Sequence, residues 1–120
     1  MNERLLQTAV AALVERLGGK EQQFRDQTSV TLSAESIVEA CRLLHDEFGF
    51  ELLSEETAVD YWPEDEPRFH IVYQLRSLRH NLVIGLRVPL NGNSPIMPSI
   101  ESIYRNANWF EREIWDMFGI

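Results

Sequence analysis

The sequence predicts an α+β fold: a mainly antiparallel sheet of about four or five strands with helices packed on it. Three observations lead there. Apolar residues recur at helical spacing over residues 3–17, 33–48 and 108–118. Residues 69–75 and 82–88 instead alternate apolar with polar, the period of a half-buried strand. Helical and extended patterns also follow one another in mixed order, which suits helices gathered on a sheet.

Taken in order, Leu6, Val10, Leu13 and Leu17 form one stripe of a first helix, with Leu5, Ala9 and Val14 beside it, and Gly18-Gly19 stops it. Phe24, then Val30 and Leu32, flank polar Asp26-Gln27-Thr28 and predict a hairpin or two short strands. Ser33 suits the N-cap of a second helix and Glu35 its positive end. Ile37, Cys41, Leu44 and Phe48 make that helix's buried stripe, and Gly49 ends it. Thr57 to Tyr61 reads as a strand. The stretch Trp62 to Pro67, with two prolines and an acidic run, reads as a solvated loop.

Two antiparallel strands follow, joined by Ser77 to His80, and then a Gly/Asn/Pro-rich loop from Pro89 to Pro98. Ser99 is expected to cap a short helix reaching Tyr104. In the final helix Asn108 is the expected N-cap, Glu111 stands where its carboxylate can reach back to the cap, and Gly119 suits the closing left-handed position. Phe110, Ile114, Met117 and Phe118 form its apolar stripe, opposite Arg112, Glu113 and Asp116.

The 120 residues form one expected domain, 1–120, large enough to bury a core without staples. Lys and Arg number 11 against 19 Asp and Glu, for a formal charge of -8, which repels nucleic acid and anionic membrane surfaces. No apolar run approaches the ~20 residues of a membrane helix. Gln7, Thr8 and Glu15 interrupt the opening apolar segment, so it is not expected to act as a secretory signal. The single cysteine, Cys41, cannot form an internal bridge and suits a core position.

Chemistry-bearing patterns are few. Cys41 and His45 share a helical face at i, i+4, but a structural zinc site wants four ligands and no partner cluster accompanies them. Glu113 and Asp116 can pair as carboxylates on one face, the basis of the rival reading as a small carboxylate-dependent hydrolase, while Arg112 beside them lets a salt-bridge cluster explain them without any reaction. Arg76, Arg79, His80 and Arg87 concentrate positive charge around one hairpin, either for an acidic neighbour or as ordinary solvation. The last helix is less ordinary. Trp109 falls among the charges and Trp115 on the flank beside Glu111, and aromatic and arginine anchors on an outer face are the material of protein contacts. Trp109, Glu111, Arg112, Glu113, Trp115 and Asp116 are therefore the candidate interface residues, against the plainer reading of a capping carboxylate and a solvated i, i+4 pair.

The same stretch carries a resemblance. Ala107-Asn108-Trp109, Glu111-Arg112-Glu113 and Asp116-Met117-Phe118-Gly119-Ile120 resemble the signature of the C subunit of the proton-pumping NADH:quinone oxidoreductase, respiratory complex I, known as the J subunit in chloroplasts and cyanobacteria. The likeness reaches back through Val88-Pro89, Ser77-Leu78 and Thr57 to Tyr61 to about Leu52, while the first half matches only in element order. The family usually continues past Phe-Gly-Ile into a tail with a Gly-His-Pro segment, so this chain is expected to be shortened at that end.

The resemblance implies a structural subunit of the peripheral arm with no flavin, iron-sulfur cluster or other cofactor of its own and no catalytic residue. It would pack against the quinone-site subunit that resembles a nickel-iron hydrogenase large subunit, on the cytoplasmic side of the membrane, supporting electron transfer from NADH to quinone and proton translocation. Related membrane-bound hydrogenases and F420H2 dehydrogenases use similar subunits. An unpartnered interface helix can also pair with a second copy, so self-association is a further expectation.

Overall fold

The computed structural model describes residues 2–24, 27–60, 69–90 and 98–118. Helix α1 spans Asn2–Leu17, strands β1 and β2 span Lys20–Phe24 and Gln27–Thr31, and a 3-10 turn at Ala34–Ser36 leads into helix α2, Ile37–Phe48. Strands β3 (Leu52–Asp60), β4 (Phe69–Ser77) and β5 (Leu82–Leu90) precede helix α3, Ala107–Phe118. The five strands form one sheet in the order β1-β2-β5-β4-β3, antiparallel at every pairing except β2 with β5. The predicted α+β class and the mainly antiparallel sheet are what the structure has.

Alternation in β4 and β5 sets the core face. Phe69, Ile71, Tyr73 and Leu75 pair across the ladder with Leu90, Val88, Leu86 and Ile84, and all eight are buried. Pairing in register at a period of two places every one of them on the same side. Ala9, Val10 and Leu13 of α1 and Ile37, Ala40, Cys41 and Leu44 of α2 close over that face. Val14, expected beside the α1 stripe, is exposed instead.

Both helix stops act through glycine. Gly18 and Gly49 hold φ of 69° and 73°, which a side chain rarely adopts, and the amides of Gly19 and Phe50 turn back to the carbonyls of Leu13 and Leu44 at 3.2 and 2.9 Å. Gly19 is needed for a second reason: a Cβ there would stand 2.6 Å from Val30 Cγ1.

Strand β3 begins five residues before Thr57, where the sequence pattern places its start, because its alternation is interrupted. Leu53 pairs with Leu75 and Glu55 with Gln74, leaving Ser54 as an extra residue in a β-bulge. That insertion flips the parity of all that follows. Leu53 faces the core, and so does Glu56, paired with Tyr73, where unbroken alternation would have turned Glu55 inward. Tyr61, the acidic loop Trp62 to Pro67 and residues 91–97 of the Gly/Asn/Pro-rich loop lie outside the described residues; Pro89 and Leu90 belong to β5.

The stretch from Ser99 to Tyr104 is a turn rather than the expected short helix. Ile103 and Tyr104 both donate to the Ile100 carbonyl, and the chain is then drawn down onto β3. Tyr104 Oη donates to the Phe50 carbonyl at 2.6 Å, and Asn106 Nδ2 donates to the Leu53 carbonyl, next to the bulge, at 2.8 Å. These two bonds fix where α3 starts, one residue before the expected cap Asn108, with the amides of Asn108 and Trp109 turned to Arg105 and Asn106.

Candidate functional site

Helix α3 lies against β3, the edge strand, with Ala107 and Ile114 buried and Phe110 half-buried beneath it. Its other side is open: Trp109 is 73% and Trp115 64% exposed, and Arg112 and Glu113 are exposed as well. At i, i+3 and i+6, Trp109, Arg112 and Trp115 form one continuous strip along the helix. The side chains of Asp116, Met117 and Phe118 and all of Gly119 and Ile120 lie outside the described ones.

Glu111 departs from the capping role. Its carboxylate accepts from Ser99 Oγ at 2.6 Å and from the Ile100 amide at 3.0 Å, and Ser99 Oγ in turn accepts the Glu101 amide at 3.1 Å. Charge-assisted bonds of this kind are stronger than neutral ones, so Glu111 clamps the 98–100 segment against α3. Within this chain its carboxylate faces inward, toward its own fold.

Between that segment and the helix opens a cleft of about 360 Å³ whose lining includes Glu56, Ser99, Asn108, Glu111, Arg112 and Trp115. Glu56 is only 6% exposed, and among the described residues its Oε1 has no hydrogen-bond partner; neither has the hydroxyl of its cross-strand neighbour Tyr73. Burial, with the nearby Glu111 charge adding to it, pushes the Glu56 carboxyl up to about 8. Burial also raises the Tyr73 hydroxyl and the Cys41 thiol well above their ordinary ranges, so both stay neutral at neutral pH.

The other sequence candidates are dispersed. Glu113 lines a second, smaller opening on the far side of Ile114, together with Glu55 and Glu56. Among the described residues the carboxyl whose proton affinity is raised is Glu56, which no motif marks. Its signal is the doubled Glu55-Glu56 inside a strand, unreadable without the bulge. Cys41 is buried, while His45 turns its ring edge to Tyr104 with centroids 5.4 Å apart and bonds Asp46 at 2.8 Å. Among the described residues no group of three or more His, Cys, Asp and Glu is placed to hold a metal ion. Of the hairpin cations, Arg76 pairs with Val83 and Arg87 with Val72, so the two stand four residues apart along the sheet's outer face, and Arg87 lies 3.2 Å from His70 Nδ1.

Residues 30–120 match the family model described as "Respiratory-chain NADH dehydrogenase, 30 Kd subunit". The chain belongs to this family. Among its relatives, the NADH-quinone oxidoreductase C subunit of Phenylobacterium zucineum is 40% identical over 118 residues, covering 98% of this chain and 55% of that protein. The C subunit of Salinispora tropica is 37% identical over 98 residues, covering 80% and 40%. A solved trypsin-resistant fragment (1-134) of Nqo5 superposes with a TM-score of 0.79 at 30% identity, covering 100% of this chain and 94% of the fragment. An archaeal respiratory membrane complex, the membrane-bound sulfane sulfur reductase, contains a chain that superposes equally well, TM-score 0.79, over 98% of this chain and 68% of its own. At 23% identity that is a likeness of fold.

The chain spans 40% to 60% of the length of the curated C-subunit relatives it matches. Family membership accounts for the signature around α3 and for the sheet behind it. No helix among the described residues is long and apolar enough to cross a membrane.

Proposed function

We propose that the chain is one domain serving as a cofactor-free structural part of the peripheral arm of an NADH:quinone oxidoreductase. In this reading it scaffolds the quinone-proximal subunit on the cytoplasmic side, and the enzyme's electron transfer and proton translocation take place in its neighbours. The outer strip of α3 is the contact: Trp109 and Trp115 are the anchors, Arg112 and Glu113 the polar partners, Asp116 a further member of the set proposed from the sequence, and Glu111 the residue that holds the adjoining segment in place. The observation that carries this reading is the pair of exposed indoles flanking an arginine, on a helix fixed at its start by Tyr104 and Asn106. A rigid element presenting large aromatic side chains loses little entropy on docking.

The test is isolation of the tagged chain from its native membrane fraction. Co-purification of the oxidoreductase subunits, reduced when Trp109→Ala and Arg112→Ala are introduced together, supports the reading. Unchanged assembly and unchanged NADH:quinone activity in that double variant overturn it. A concentration-dependent dimer of the isolated chain that the same variant abolishes would assign the strip to a second copy instead.

A further inference from the structure

We propose that the cleft beside α3 is a seat for a cationic side chain, an arginine of the polypeptide that docks on the outer strip, with Glu56 as its counter-ion. This rests on the docking role proposed above and adds the chemistry of the anchor.

Four observations converge. Glu56 is buried yet its Oε1 has no hydrogen-bond partner among the described residues, and a carboxyl oxygen out of water without a partner is costly. The Tyr73 hydroxyl beside it has no partner among the described residues either, so a donor-rich group entering the cleft meets a carboxyl and a hydroxyl together. The second carboxylate, Glu111, lines the same cleft, giving it acidic walls in a chain of net charge -8. Finally, the indole of Trp115 lines the same cleft and is itself largely exposed, so the cleft is continuous with the strip.

An arginine fits these features best. Its planar guanidinium donates along two parallel directions to one carboxylate, sheds water more readily than an ammonium and stacks on an aromatic face. A divalent cation wants about six oxygen ligands, and among the described residues no ligand cluster of that kind exists. An anion would face the Glu111 charge and the Glu56 acid. Arg112 lines the cleft, and none of the ion pairs seen among the described residues involves it, so it sits at the mouth rather than on Glu56.

Entry of the cation carries a proton signature. Alone, Glu56 keeps its proton up to about pH 8 because of burial and the Glu111 charge. The groups around it are Tyr73 on β4, Cys41 on α2, Glu111 and Arg112 on α3, and Glu55 and Glu113 at the second opening. Of these, Arg112 is the sole cation, at the mouth. Pairing with a guanidinium therefore requires Glu56 to release its proton, and association should weaken by up to about tenfold per pH unit below 8.

Two measurements test this. In the first, the Glu56 carboxyl of the isotopically labelled full chain is followed by NMR while Nα-acetyl-arginine amide or its neutral citrulline analogue is added. The expected result is a fall of at least one unit in the Glu56 titration midpoint with the arginine compound alone. An equal or absent response to both compounds overturns the proposal. In the second, the whole oxidoreductase complex carrying Glu56→Gln is compared with wild type. A roughly tenfold loss of subunit retention, no longer dependent on pH between about 6.5 and 8.5, supports the seat. Wild-type retention in Glu56→Gln, alongside loss in the Trp109→Ala, Arg112→Ala variant, overturns the seat and leaves the docking role standing. Wild-type retention in both removes the docking role as well.

Discussion

Helices α2 and α3 are each 12 residues long, each amphipathic, each laid on the core side of one sheet, yet they differ on both of their faces. The outer side of α2 carries Glu39, Arg42, Asp46 and Glu47, all charged, and the sole ion pair it makes among the described residues with another element is the one from Arg16 to Glu47. That of α3 alternates indoles with charges. Beneath α2 the core is apolar, with the Cys41 thiol buried and neutral. Beneath α3 lies Glu56, whose Oε1 has no partner among the described residues. The difference separates a helix with a charged outer face over an apolar floor from one with an indole-bearing outer face over a buried acid.

Breaking the packing of either helix should have the largest effect. Leu44→Ala and Ile114→Ala each remove a buried branched side chain and are expected to cost about 2–5 kcal/mol of unfolding free energy, read by denaturant titration. Leu44 should lie at the upper end, since it is fully enclosed while Ile114 retains some exposure. A larger loss at Ile114 would mean that α3, not α2, is the more tightly held.

The floors should then separate by pH. Glu56 is neutral when folded and ionises at about 8, while in the unfolded chain it ionises near its ordinary 4.5. Between those values the folded state binds the extra proton, so its contribution is complete below pH 4.5, declines as pH rises and is lost above 8. Unfolding free energy should therefore fall by on the order of a few kcal/mol across that window, each pH unit between the two midpoints being worth about 1.4 kcal/mol. Glu56→Gln should flatten the slope, whereas Cys41→Ser should leave it intact. An equally steep wild-type and Glu56→Gln profile would remove the contrast between the two floors.

On the outer faces the contrast concerns association. Trp109→Ala with Arg112→Ala should weaken retention of the partner by about 2 kcal/mol or more, roughly thirtyfold, while changing the stability of the isolated domain by under about 0.5 kcal/mol. The matching pair on α2, Glu39→Ala with Arg42→Ala, should change neither. Smaller again is the clamp: Glu111→Ala leaves Ser99 and the Ile100 amide without their acceptor and should cost about 1–2 kcal/mol, seen as faster amide exchange at Ile100.

Much of this architecture is visible in the residue pattern because it follows from period alone. The stripes of α1 and α2 and the alternation of β4 and β5 need no knowledge of neighbours. What escapes such reading depends on contacts distant in sequence. The parallel pairing of β2 with β5 joins Val30 to Leu86, and nothing local announces it. The bulge at Ser54 is set by the ladder with β4 and by Asn106 reaching the Leu53 carbonyl, so the inward turn of Glu56 could not be counted from an alternating template. Glu111 likewise stands at the right spacing for a cap, but Ser99, twelve residues away, offers a better bond. The candidate strip was legible as Trp109, Arg112 and Trp115; the acid behind it was not.

The smallest expected effect also tests whether charge alone can explain α3. Arg16 and Glu47 join α1 to α2 at 3.1 Å with their side chains 59% and 53% exposed. At such exposure the Coulomb gain is screened and offset by the ordering of two long side chains, so Arg16→Ala should change stability by no more than about 0.5 kcal/mol. It should leave assembly untouched as well. If instead removal of this solvated arginine weakened assembly as much as loss of Arg112 does, net charge and not the placement of Arg112 between two indoles would govern docking. The two arginines are alike in charge and exposure, so the outcome turns on their neighbours: Arg16 faces a carboxylate it already holds, and Arg112 stands between Trp109 and Trp115 at the mouth of an acidic cleft.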